Sequence, residues 1–331
     1  MIKINKQNLE KLIDGLIGAG YKVVAPVSKK GKFYFSSVGS FNEIAKDYIQ
    51  TVISPKAVYF PSTESLINYE KNEGGFTVKE VEIPQQTVIL FGLRPCDAVA
   101  LEYLADFFLK ENPDKYIKLR KEKTTVITLS CIQSDDSCFC TTVGVSPADS
   151  RGSDILLTDV GDSYYAEILT ERGSLIETGN KNLFEDSPEI DKSKFTANPE
   201  IKFNLNELQN KLKDIFELEV WKEQSLNCLG CGACAYSCPT CSCFDIQDEA
   251  NPYNGKRIRV WDSCGLGLFT LHASGHNPRN VQSQRWRNRV YHKFDYSVKN
   301  LDAVSCVGCG RCIRVCPGGM NISEQMAGLV K

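Results

Sequence analysis

Residues 228–239 read CLGCGACAYSCP, and residues 306–317 read CVGCGRCIRVCP. Both follow C-x2-C-x2-C-x3-C and end in proline. Three thiolates at two-residue intervals on a tight loop can cup three irons of one cubane. The fourth, further along, has turned away and needs a second cubane. This is the bacterial two-cluster ferredoxin pattern, in which the fourth cysteine of each run serves the other cluster. One [4Fe–4S] cluster is therefore expected on Cys228, Cys231, Cys234 and Cys316, and the other on Cys306, Cys309, Cys312 and Cys238. A structural zinc site would show two separated cysteine pairs instead. Gly230, Gly232 and Ala235 also match G-x-G-x-x-A. No strand precedes them and the cysteines account for the glycines, so no dinucleotide site is read there.

An ordinary two-cluster ferredoxin keeps its runs close together, but here 67 residues separate Cys238 from Cys306. That insertion opens CPTCSCFDIQD, with Cys241 and Cys243, and continues through VWDSC, ending at Cys264. The chain of 331 residues holds fifteen cysteines, none before Cys96. Disulfide frameworks belong to small secreted domains. MIKINKQNLEKL at the N-terminus lacks the apolar segment of an export signal, and no apolar run approaches the length needed to span a bilayer. A cytoplasmic protein is expected, off the membrane, with its thiols used as metal ligands. The formal charge of −2 gives no pull toward nucleic acid.

The first half reads as mixed α/β. Leu9, Leu12, Ile13, Leu16 and Ile17 follow helical spacing and end at Gly18 and Gly20. Strands are expected at 21–27 and 32–36, and Ser40 with Glu43 resembles a capping box opening another helix. TVILFGL at 87–93 reads as a buried strand, followed by a helix over 97–109 and a second strand at 124–129, a right-handed βαβ unit. Further strands are expected at 155–159 and 164–169. Residues 170–203 read as a polar inter-domain stretch, and a helix spans 205–222. The expected class is α+β: a mixed α/β domain over 1–205, then a two-cluster bacterial-ferredoxin-like domain over 206–331 carrying an insertion at about 244–300.

Parallel neighbouring strands would bring Cys96 and Cys131 to one sheet edge, where open α/β sheets place ligands. Cys138 and Cys140 lie on the next loop, close enough to complete four sulfurs. A third [4Fe–4S] cluster is expected on Cys96, Cys131, Cys138 and Cys140, against a bland reading of four small buried hydrophobes. A rival grouping draws on Cys241, Cys243 and Cys264. In the insertion, His272 and His276 have the spacing of a helical metal pair, but Gly275 lies between them and no HExxH accompanies them. Packing or hydrogen bonding near a cluster is the reading for all three histidines, His292 included. Eight Lys/Arg between Lys256 and Lys293 face one acid, Asp262. They read by default as a solvated face, alternatively as groups that offset cluster charge or dock a partner. Arg285, Arg287 and Arg289 alternate with Trp286, Asn288 and Val290, as in a strand with one cationic face.

These motifs, with FGLRPCDAVALEYLADFF, CFCTTVGVSP and LLTDVGDSYYAEI upstream, resemble the iron–sulfur β subunit of cytoplasmic sulfhydrogenases and its relative, the corresponding iron–sulfur subunit of anaerobic sulfite reductase. The resemblance covers roughly residues 55–320. It implies a non-catalytic electron-transfer subunit of a heteromeric oxidoreductase in anaerobic metabolism. Its partners would be a flavin subunit that binds NAD(P)H and a terminal catalytic subunit of hydrogenase, sulfite reductase or polysulfide reductase type. No Ser-His-Asp order, paired carboxylates or HExxH points to a catalytic residue. The alternative is a self-contained flavin- or thiol-dependent reductase, using Cys138 with Cys140 or Cys241 with Cys243.

Overall fold

The computed structural model describes residues 1–83 and 85–330. The fold is α+β, and the strand–helix–strand unit read from the sequence lies at its centre. Strands β1 (Ile2–Asn5), β2 (Lys22–Lys29), β3 (Lys32–Ser37), β4 (Thr63–Asn72), β5 (Gly75–Glu80), β6 (Val88–Leu93), β7 (Thr124–Leu129), β8 (Ile155–Asp159), β9 (Ser163–Ile168) and β10 (Glu185–Asp186) precede the cysteine runs. Helices α1 (Lys6–Gly18), α2 (Pro95–Leu109), α3 (Lys115–Glu122) and α4 (Glu171–Gly179) lie among them. Among the described residues eight strands form one sheet, ordered β10-β1-β9-β8-β7-β6-β2-β3. Within it β2, β6, β7 and β8 run parallel and the remaining pairings are antiparallel. Its apolar strands bury one face under α1 through Leu9, Leu12, Ile13 and Leu16. The other face packs on α2 through Ala98, Leu101, Leu104 and Ala105.

The later part is built from short elements around the cysteine loops. They are α5 (Leu205–Leu212), α6 (Val220–Gln224), α7 (Ala233–Tyr236), β11 (Phe244–Ala250), β12 (Asn254–Trp261), α8 (Gln282–Tyr291), a π-helical turn at His292–Tyr296, α9 (Ser297–Leu301), α10 (Arg311–Arg314) and α11 (Ile322–Val330). The β11–β12 hairpin does not stay with its own half. It pairs antiparallel with β4, giving a second sheet ordered β11-β12-β4-β5. Arg259 on β12 donates to Glu64 on β4 at 2.9 Å, closing a buried ion pair across that seam. A single core then joins both halves, with Cys96, Ala100 and Phe139 packed among Trp286, Val290, Phe294 and Met326.

Four local expectations are corrected. Arg285, Arg287 and Arg289 lie on α8, not on a strand. Trp286, Arg289 and Val290 share the i, i+3, i+4 spacing of one buried helical face, which outweighs the charge alternation. Ser40 and Glu43 make their capping bonds, to Asn42 N–H and Gly39 N–H, but only around one 3-10 turn. The chain leaves the turn because Ala45 N–H bonds to the Pro26 carbonyl at 2.8 Å. The expected helix over 205–222 divides into α5 and α6, since Ile215 is buried and its carbonyl accepts from Trp221 Nε1. Residues 170–203 are not merely a linker: they hold α4 and β10, which closes the sheet edge beside β1.

Candidate metal centres

Each cysteine run folds as a loop leading into a one-turn helix, α7 or α10, whose N-cap glycine is left-handed. The first cavity is lined by Cys228, Cys231, Cys234 and Cys316, with Cys312 at its wall. The second is lined by Cys306, Cys309, Cys312 and Cys238. The last cysteine of each run therefore borders the other run's cavity. Gln282 Nε2 donates to Cys228 Sγ at 3.1 Å and Met320 N–H to Cys316 Sγ at 3.3 Å, the kind of N–H···S contact that tunes cluster potential.

A third cavity gathers Cys96, Cys131, Cys138 and Cys140. Cys96 sits in the first turn of α2, after the carboxyl end of β6, and burial holds its thiol pKa well above the ordinary value. Cys131 follows β7, the parallel neighbour of β6. The loop with Cys138 and Cys140 folds back because Phe139 N–H bonds to the Gly308 carbonyl at 2.9 Å. Gly308 is at φ +60, and a Cβ there would strike the backbone at Phe139–Cys140. The second cysteine run and the third cavity are thus in direct contact, and Cys309 lines both. Arg311 reinforces the junction. It is buried, it pairs with Asp97 at 2.5 and 2.7 Å, and it reaches the Thr51 carbonyl at 2.9 Å.

A fourth cavity is lined by Cys241, Cys243, Cys264 and His292. Among the described residues all fifteen cysteines are free of disulfides.

The electrostatics around these sulfurs are one-sided. Lys56, Arg94, Arg289 and Lys293 are 2%, 6%, 5% and 3% exposed. Among the described residues none of the four has a carboxylate within ion-pair distance, unlike Arg259 and Arg311. Their partners are sulfurs and neutral oxygens. Lys293 Nζ lies 3.4 Å from Cys238 Sγ and 3.0 Å from the Ser305 carbonyl. Arg289 spans from the Cys234 carbonyl at 2.9 Å to Cys241 Sγ at 3.5 Å. Lys56 donates to the Cys241 carbonyl at 3.0 Å over the Trp261 ring. Arg94 borders the third cavity, and its buried Nε has no partner among the described residues.

Uncompensated buried cations cost several kcal/mol each, a cost that negative charge in the cavities would offset; at Lys56 burial outweighs the nearby sulfurs and lowers the pKa. Burial works against the charge on Lys293, but the Cys238 and Cys241 thiolates outweigh it and raise its pKa above the ordinary lysine value. Burial pushes the Cys131 and Cys306 thiols up to about 11 and Cys140 up to about 12. A bound iron would relieve that penalty by taking the place of the proton. Among the described residues no three His, Cys, Asp or Glu side chains converge on one ion position.

Residues 227–320 match the 4Fe-4S dicluster domain family. Sulfhydrogenase 2 subunit beta of Pyrococcus furiosus is 31% identical over 343 aligned positions, which cover 99% of each chain. The chain belongs to the sulfhydrogenase β-subunit family. No solved structure matches it.

In this sulfhydrogenase β-type chain the dicluster segment carries two [4Fe–4S] clusters and serves electron transfer. Sequence reasoning treated the basic insertion mainly as surface, yet Arg259, Arg289 and Lys293 are buried. It passed over Lys56 and Arg94 altogether. Their signal is a cation inside an apolar context, Lys56 after Pro55 and Arg94 after FGL, which reads as ordinary until the fold buries it. His272 and His276 meet edge to face at 5.4 Å between ring centroids and are exposed; neither lines any of the four cysteine cavities.

Proposed function

We propose that this chain is the electron relay of a cytoplasmic oxidoreductase complex. It would pass electrons between a flavin subunit that binds NAD(P)H and a terminal catalytic subunit of hydrogenase or reductase type. Cys228, Cys231, Cys234 and Cys316 hold one [4Fe–4S] cluster. Cys306, Cys309, Cys312 and Cys238 hold the second, and Cys96, Cys131, Cys138 and Cys140 a third. Bound clusters supply one-electron redox chemistry. Residues 1–205 act as the module carrying the third site, and 206–331 as the module carrying the other two.

The observation that carries this reading is that the cavities share walls. Cys312 lines the first and second, and Gly308 and Cys309 line the second and third. Packed, hydrogen-bonded walls hold the redox sites in fixed register. The relative's name, a sulfhydrogenase subunit, supports partners of this kind. No helix among the described residues is long and apolar enough to cross a membrane.

The test compares the complex with the isolated chain under anaerobic conditions. NAD(P)H bleaches the iron–sulfur absorbance of the natively purified complex. The isolated chain is bleached by a strong chemical reductant but not by NAD(P)H. Stoichiometric flavin on the isolated chain, with NAD(P)H turnover, would instead establish a self-contained reductase.

A further inference from the structure

The eight ferredoxin-type cysteines and the N-terminal four leave three of the fifteen without a role: Cys241, Cys243 and Cys264. The fold gathers these three. Phe244 pairs with Trp261 at the open end of the β11–β12 ladder, and Asp262 N–H bonds to the Cys243 carbonyl at 3.0 Å. The ladder therefore brings Cys243 and Cys264 side by side, and the chain just before β11 adds Cys241. Cys241, Cys243 and Cys264 line one cavity. A fourth donor comes from the opposite wall. His292 begins the π-helical turn, a local widening that is common at functional sites. Its imidazole lines the cavity and makes no hydrogen bond among the described residues.

We propose that Cys241, Cys243, Cys264 and His292 hold a further iron–sulfur cluster, of the [4Fe–4S] type. The charges fit an anionic occupant. Arg289 and Lys293 line the cavity without carboxylate partners, and Arg279, also in its wall, has a buried Nε with no partner among the described residues. A Cys243–Cys264 disulfide would remove two thiolates and leave these cations facing a neutral group. Space is ample. The cavity measures about 210 Å³, against about 40 and 20 Å³ for the two ferredoxin-type sites. The site is also wired to the others, since Lys293 lines this cavity and the second, and Arg289 lines this one and the first.

The experiment uses the full chain, reconstituted anaerobically with ferrous iron and sulfide, and reads iron, acid-labile sulfide and zinc. Cys264→Ser is expected to lose about four irons and as many sulfides, the content of one cubane, while the ferredoxin-type signals persist. His292→Cys is expected to keep the iron and lower the midpoint of one couple, because a thiolate replaces a neutral imidazole. A merely structural histidine would leave every potential unmoved. Unchanged iron in Cys264→Ser, unchanged potentials in His292→Cys, or zinc in place of iron overturns the proposal. None of those results touches the two ferredoxin-type clusters or the relay reading.

Discussion

Lys293→Met lowers the midpoint potential of the cluster in the second cavity by on the order of 100 mV. The lysine is buried, 3.4 Å from Cys238 Sγ, with no carboxylate to share its charge. Reduction adds an electron, so a nearby cation stabilises the reduced state and its removal shifts the couple downward. A unit charge about 5 Å away at an effective dielectric of about 20 contributes roughly 3 kcal/mol. For a one-electron couple about 59 mV corresponds to tenfold, or roughly 1.4 kcal/mol, which sets the scale of the shift. Methionine fills most of the same volume, so packing is largely kept. Lys293→Arg should stay near the native midpoint. Redox titration followed by electron paramagnetic resonance checks both variants, and an unmoved Lys293→Met couple would show that the lysine charge is balanced elsewhere.

Cys131→Ser removes the proposed third cluster and with it about four irons and four sulfides per chain. Cys131 lies after β7, across the parallel pairing from Cys96, so its loss opens the sheet-edge side of the cavity. Arg94 is then left buried without an anion, which destabilises the fold by several kcal/mol beyond the loss of the metal itself. Iron and sulfide analysis of the anaerobically reconstituted full chain, with a thermal melt alongside, measures both effects. The spectra of the two ferredoxin-type clusters should persist. Native iron and sulfide content in this variant would leave the N-terminal cysteines as buried hydrophobes.

Much of this was readable because spacing constrains geometry strongly. In C-x2-C-x2-C-x3-C the fourth thiol cannot reach the cube its neighbours cup. Parallel strands of β-branched residues, TVILFGL and TTVITL, carry whatever follows them to one edge, which is how Cys96 and Cys131 come together. The second sheet was not readable. All seven residues of β11 are exposed, so no apolar alternation marks it, and β4, which pairs with β12, lies far away in sequence. The cationic stretch failed for a different reason. Arg285, Arg287 and Arg289 satisfy a two-residue period, but the packing of Trp286 and Val290 decides for a helix. The role given to His292 depends on a π-helical turn, which has no sequence period of its own.

Anaerobic potentiometric titration of the purified full chain, followed by electron paramagnetic resonance and optical spectroscopy, tests the central claim most directly. The relay reading predicts several reversible one-electron iron–sulfur couples with magnetic interaction between reduced centres, and no flavin. A chain whose reduction is dominated by a two-electron flavin or dithiol couple, or whose iron–sulfur centres do not reduce reversibly, would contradict it.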